Sequence, residues 1–178
     1  MENYVQILDE VAVNRALTRI SFEITEKARD INNVVLIGIK TRGIPMAKII
    51  AQKIKEHNDI EVPVGYLDIT FYRDDLSKLS EMPTVNNDLL DIDVTDKEVV
   101  LVDDVIYTGR TIRAAIEAVF KTGRPKKISL AVLIDRGHRE LPFKPDYVGK
   151  NVPTSQSEVI KVGMKEVDGI TDVKLYKR

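Results

Sequence analysis

Three short apolar runs, each followed by a turn and then by helical spacing, restrict this chain more than any other feature. They are Val34-Val35-Leu36-Ile37-Gly38-Ile39, Val99-Val100-Leu101-Val102 and Ile128 to Ile134. None shows strict polar–apolar alternation, so each reads as a strand buried on both faces, as in a parallel sheet covered by helices. Between them the apolar spacing changes to three and four. Asp9 suits the N-cap of a helix reaching about Arg29, with Val13, Leu17, Ile20, Ile24 and Ala28 as its stripe. A second helix, Met46 to Glu56, turns Ala47, Ile50, Ala51 and Ile54 inward and has Pro45 near its first position. A third follows Thr111, with Ile112, Ala115, Ile116, Val119 and Phe120 at helical spacing, and stops at Arg124-Pro125. Weaker strand patterns occur at Leu67, Ile69 and Phe71, and at Tyr147-Val148, Glu158 to Val162 and Val173 to Tyr176. Such alternation predicts an α/β fold, an open and mostly parallel sheet flanked by helices, with ligands at the carboxyl ends of the strands. A length of 178 residues suits one domain, residues 1–178.

The second run leads into the chemistry. After Val102, where the strand is expected to end, come Asp103-Asp104-Val105-Ile106-Tyr107-Thr108-Gly109-Arg110-Thr111 and the third helix. Loop amides and a helix N-terminus aimed at one spot suit a phosphate monoester, and Thr108 and Thr111 add hydroxyl donors. Gly109 permits close approach or positive φ. Adjacent aspartates repel phosphate but accept hydrogen bonds from two neighbouring hydroxyls, so the ordered set describes a ribose 5-phosphate. Taken singly, each residue also suits an ordinary strand-to-helix turn. Gly-x-Gly-x-x-Gly after a strand and Gly-x-x-x-x-Gly-Lys-Ser/Thr are both missing from the sequence. A second basic turn, Lys40-Thr41-Arg42-Gly43, joins the first run to the second helix and forms a weaker anion site.

Composition narrows the alternatives. The chain contains no cysteine, which rules out disulfides and thiolate metal sites. No His-x-x-x-His or carboxylate–histidine spacing occurs, so no protein-held metal is expected. The N-terminus lacks a signal-peptide pattern and no apolar run approaches a membrane span, so a soluble cytoplasmic protein is expected. Net charge is −1, but residues 68–104 hold eleven acids against three bases and residues 124–150 hold seven Lys/Arg against three acids. That asymmetry suits an anionic partner, or scattered solvated charge. Phe22 falls opposite the first helix's apolar stripe, among Arg15, Thr18, Arg19 and Arg29. It marks a subunit or ligand contact, or a stray surface aromatic. Residues 73–96 lack periodicity and read as a functional loop or a surface excursion. His57 reads as a C-cap partner, and His138 as an acid–base group with no partner visible in the sequence.

The stretch Val99 to Thr111 resembles the phosphoribosyl pyrophosphate (PRPP) signature of the type I phosphoribosyltransferase family: apolar strand, two acids, two or three residues, Thr-Gly, one residue, Thr or Ser. The resemblance implies that fold, with a small hood and a mobile lid led by Tyr72-Arg73-Asp74-Asp75. It implies that Asp103 and Asp104 hold the ribose hydroxyls and that Val105, Ile106, Tyr107, Thr108, Gly109, Arg110 and Thr111 form the phosphate loop. Lys40, Thr41 and Arg42 would grip pyrophosphate, with Arg73 and Mg²⁺ carried on PRPP taking up its growing charge. Arg136, Val159 and Ile160 are the candidates for reading the base. Members that use 6-oxopurines carry an aspartate before Thr-Gly; here it is Tyr107, which argues for uracil.

Further segments, including Ala16-Leu17-Thr18-Arg19-Ile20, Gly38 to Ile44 and Asp135 to Pro142, look like the branch that combines uracil phosphoribosyltransferase with an RNA-binding attenuator of pyrimidine operons. For that branch the resemblance implies a homodimer or higher oligomer that binds pyrimidine-operon leader mRNA in response to UMP, other uridine nucleotides and PRPP. Thr18, Arg19, His138, Arg139, Lys144 and Lys150 match its RNA face, apart in sequence from the phosphate-binding groups. Phe22 departs, standing where a histidine is expected. The rivals are a uracil salvage enzyme without an RNA role, a regulator without turnover, and a receiver domain. The last leaves Thr-Gly-Arg-Thr without a task.

Overall fold

The computed structural model describes residues 3–69 and 92–177. In chain order its elements are β1 (Tyr4–Leu8), α1 (Glu10–Lys27), β2 (Val34–Ile39), α2 (Gly43–Asn58), β3 (Val64–Leu67), β4 (Glu98–Ile106), α3 (Arg110–Thr122), β5 (Lys127–Asp135), β6 (Tyr147–Asn151), β7 (Val159–Gly163), α4 (Lys165–Asp168) and β8 (Asp172–Tyr176). The three apolar runs lie in β2, β4 and β5, side by side in a parallel sheet of order β3-β2-β4-β5-β6. Both faces are covered, with the period of two expected for strands. Val34, Leu36, Val100, Val102, Ala131 and Leu133 face α1 and α2, whereas Val35, Ile37, Val99, Leu101, Leu130 and Val132 face α3. Leu36 and Leu101 have no exposed surface, so truncating either to alanine costs about 2–5 kcal/mol.

The helices follow their stripes. Asp9 caps α1, its carboxylate accepting the Ala12 amide at 2.8 Å. The helix ends at Lys27, short of the expected Arg29. Phe120 does not join the buried stripe of α3: it is 56% exposed and shares a face with Arg113 and Glu117. The small Ala114 and Ala118 occupy the flank against the sheet instead.

Two strands sit differently from expectation. The strand anticipated at Leu67, Ile69 and Phe71 is β3, Val64–Leu67; Ile69 is buried just beyond it, and Phe71 lies outside the described residues. Its pairing with β2 stops at Ile39↔Leu67, because β2 itself turns away at Lys40. β4 does not end at Val102 but continues through both aspartates to Ile106. β5 is long enough to keep pairing with it, through Asp103↔Val132, Val105↔Ile134 and Ile106↔Asp135, whereas β2 leaves at Gly38↔Val102. The chain order reverses between β2 and β4, so the crevice at their carboxyl ends is the topological switch point of the sheet.

A second sheet, antiparallel in the order β1-β8-β7, forms the hood. Its Ile160, Val162 and Val173 join the core on the α1 and α2 side. β1 and α4 had no readable signal, since β1 is mostly exposed along its length and α4 has 4 residues. Among the described residues no helix is long and apolar enough to cross a membrane.

Candidate active site

The turn after β2 is held against β4 by a close approach. A Cβ at Gly43 would lie 2.2 Å from the Val102 carbonyl oxygen, so only glycine lets α2 begin there. Lys40, Thr41 and Arg42 thereby share a cavity of about 230 Å³ with Asp103, Asp104 and Thr111. Each cation of this turn holds a carboxylate. Lys40 Nζ lies 2.9 Å from Asp68 Oδ2. Arg42 makes a forked contact with Asp168 at the end of α4, Nε to Oδ2 at 3.0 Å and Nη2 to Oδ1 at 2.8 Å. That hydrogen bonding raises the Arg42 pKa against the opposing effect of burial, with Asp104 adding to it. The same contact holds the Asp168 carboxyl below the usual carboxylate range. Sequence reasoning missed Asp68 and Asp168; Asp168 is 126 positions from Arg42 and belongs to no motif.

The two aspartates differ. Asp103 is 7% exposed, and its Oδ1 accepts the Asp104 amide at 2.9 Å. Asp104 is less buried, and its Oδ1 accepts the Val105 amide at 2.8 Å. β4's continuation past Val102 buries Asp103 and leaves Asp104 more open, because residues alternate along a strand. Asp104 walls the small cavity and also a larger one of about 590 Å³, and the two cavities adjoin at Asp104, Val105 and Thr111.

The larger cavity is bounded by the loop Tyr107 to Arg110 and the start of α3. Gly109 takes φ 95° at the N-cap of α3, and Arg113's amide bonds its carbonyl at 3.0 Å. The first amides of α3 therefore point toward the cavity end, as any helix start leaves them. Arg136 and Ile160 complete the wall. Arg136 is 8% exposed and donates to Thr154 Oγ1 and to the carbonyls of Ser155 and Glu158. Its guanidinium carbon lies 4.1 Å from the centre of the Tyr107 ring. Val159 is half-buried in β7 beside this wall without lining it. Arg73, with the rest of Tyr72 to Leu76, lies outside the described residues.

The expected RNA-facing residues are partly brought together. Arg19 Nη2 donates to the carbonyls of Val148 and Gly149, which joins the α1 face carrying Thr18 to β6 and Lys150. His138 bonds the Thr154 carbonyl just beyond β6, with φ 60°. Lys144 is exposed on the segment leading into β6. Arg139 does not present its guanidinium outward: Nη1 donates to the Tyr107 carbonyl at 2.9 Å, Nε to the Phe143 carbonyl at 2.9 Å, and Nη2 to Asp135 Oδ2 at 2.6 Å. Although apart from residues 107–111 in sequence, Arg139 meets them in space, because the segment after β5 folds back over that loop. His57 lies in the last turn of α2 as expected, and its ring also meets that of Phe22, 4.5 Å between centroids and tilted by 35°; Phe22 stays 49% exposed.

The phosphoribosyl transferase domain model matches residues 3–167. The chain is 60% identical over 173 residues to Bifunctional protein PyrR of Acetivibrio thermocellus, covering 97% of this chain and 94% of that protein. It is 55% identical to Bifunctional protein PyrR of Oceanobacillus iheyensis over the whole of both chains. The crystal structure of the hypoxanthine phosphoribosyltransferase of Trypanosoma cruzi superposes with a TM-score of 0.71 at 16% identity, covering 97% of this chain and 95% of that one, a likeness of fold. With a basic turn, an acid pair and a hydroxyl-rich loop along one cleft at the switch point of its sheet, the chain belongs to the phosphoribosyl transferase family, in its bifunctional PyrR branch.

Proposed function

We propose that this protein transfers the phosphoribosyl group of Mg²⁺-bound PRPP to uracil, giving UMP and pyrophosphate, and binds pyrimidine-operon leader mRNA as a transcription attenuator responsive to uridine nucleotides and PRPP. The observation that carries the enzymatic reading is the order of groups along the cleft. Lys40 to Arg42 stand at one end, Asp103 and Asp104 in the middle, and the loop to Thr111 with Arg136 and Ile160 at the other. That order matches pyrophosphate, ribose diol, and 5′-phosphate with base.

Uracil N1 bonds to ribose C1 as the C1–O bond to pyrophosphate breaks, and the N1 proton leaves. The sugar carries positive charge in the transition state, so catalysis is mainly positioning and electrostatics. Asp103 and Asp104 orient the ribose and stabilise that charge. Lys40, Thr41 and Arg42 take the pyrophosphate; Mg²⁺ enters with the substrate, since it prefers phosphate oxygens to a protein cage. Arg136, fixed by Thr154, Ser155 and Glu158, and the backbone at Val159 and Ile160 read the base, while Tyr107 over Arg136 restricts its size. The RNA face comprises Thr18, Arg19, His138, Lys144 and Lys150, doubled in a homodimer.

The test is a radiolabelled assay with uracil, hypoxanthine and guanine, alongside titration of leader RNA with and without UMP. Uracil alone should give product, and UMP should tighten RNA binding with reciprocal tightening of UMP by RNA. Comparable product from hypoxanthine overturns the base assignment. Absence of RNA binding at low salt reduces the protein to a salvage enzyme.

A further inference from the structure

The strand β5 ends at Asp135, and the eight residues after it fold back onto the phosphate loop. The amides of Glu140 and Leu141 both donate to the Thr108 carbonyl, at 2.9 and 3.0 Å. Arg110 Nε bonds Glu140 Oε2 at 2.9 Å. A Cβ at Gly109 would come within 3.1 Å of the Phe143 ring, so this backing lies close under the loop's one left-handed residue. Arg139 is the centre of the lacing. Its three donor nitrogens reach the Tyr107 carbonyl in the loop, the Phe143 carbonyl further along its own segment, and the Asp135 carboxylate at the strand end. Asp135 is shared: its Oδ1 accepts the Gly137 amide at 3.0 Å while Oδ2 takes Arg139.

A planar guanidinium fixes three acceptors in one geometry, which a flexible lysine ammonium cannot reproduce. A loop that presents amides to a phosphate needs such fixing, because a cradle that must first be ordered loses that ordering free energy from binding. We propose that Arg139, oriented by Asp135, is a positioning residue for the 5′-phosphate loop, acting from behind through the Tyr107 carbonyl rather than touching substrate. This rests on the reading of residues 107–111 as the phosphate site. It gives Arg139 a task in phosphoribosyl transfer distinct from RNA contact, and makes the segment carrying His138 the backing of that loop.

The experiment measures ribose 5-phosphate binding by calorimetry and the KM values of PRPP and uracil, in wild type, Asp135→Asn, Arg139→Lys and Arg139→Ala, with melting temperatures on the same preparations. Loss of an oriented hydrogen-bonded hub should weaken ribose 5-phosphate by about tenfold in Asp135→Asn and Arg139→Ala, with Arg139→Lys between them and wild type. The KM of PRPP should rise with it, and that of uracil should stay. Asp135→Asn removes a negative charge and keeps the arginine, so an RNA-only role for Arg139 predicts undiminished RNA binding and unchanged ribose 5-phosphate affinity; that result overturns the proposal. So does a parallel rise in both KM values with a fall in melting temperature, which marks Arg139 as merely structural. If wild type itself binds no ribose 5-phosphate, the phosphate-loop reading fails and takes this inference with it.

Discussion

Asp103 and Asp104 are neighbours in sequence with separate surroundings. Asp103 sits inside β4 at 7% exposure, on the wall of the smaller cavity alone, whereas Asp104 walls both cavities. Under the proposed assignment Asp104 is the more open of the two to a ribose, and Asp103 also serves the strand. Asp104→Asn should lower kcat/KM by about a hundredfold, the scale of losing one preorganised electrostatic contact, with little change in melting temperature. Asp103→Asn should lose activity too, and cost about 1–3 kcal/mol of stability, since it alters a buried polar group. Steady-state kinetics and denaturant titration on both variants check the difference. The acid pair was legible from sequence; the split between its members was not. Burial of Asp103 depends on β5 extending to Asp135, which no property of residues 99–111 discloses.

At the scale of elements, the forked Arg42–Asp168 contact joins the turn after β2 to the end of α4, so the hood is clipped to the proposed pyrophosphate site. Asp168 Oδ2 also accepts the Met164 amide at 2.8 Å. Asp168→Ala should speed hydrogen exchange at Met164 and in β7 on the order of five- to tenfold, a net loss near 1 kcal/mol, and leave β2 and β4 unchanged. The folded pKa of Asp168 is depressed, chiefly by the hydrogen bonds from Arg42. Its stabilisation is therefore complete above the ordinary aspartate value of about 3.9 and is lost as pH falls through the depressed folded value. Protection of the hood in wild type should approach that of Asp168→Ala only at the acid end of such a series. Protection factors in the hood that stay uniform across pH in wild type would show the clip to be dispensable.

For the molecule as a whole, a chain of net charge −1 binds RNA only through a gathered basic surface. The contact of Arg19 with β6 ties α1 to that strand, and the contact of His138 with Thr154 ties the segment after β5 to the residues just past β6. Arg139 contributes little to that surface, its guanidinium being turned to Tyr107, Phe143 and Asp135. RNA affinity should fall with salt at about −0.7 in log–log slope per phosphate neutralised on single-stranded RNA. Lys150→Ala should flatten that slope by about one such contact, measured by filter binding over a salt series with circular dichroism as the check on folding. An unchanged slope would remove Lys150 from the RNA face.

The local patterns that name strands, helices and the proposed phosphate loop were readable because they depend on near neighbours. β-branched runs, three-and-four spacing, a capping Asp9 and a glycine free to take φ 95° carry their reasons within a few residues. Arg42 with Asp168, Arg136 with Thr154 and Arg139 with Tyr107 carry none, since their partners are 126, 18 and 32 positions away. The same arginine side chain reads as an anion ligand on paper whether it faces solvent or a carbonyl. Which of these it meets follows from how sheet, hood and returning segment pack, because a hydrogen bond over such distances exists only after the chain has brought its two ends together.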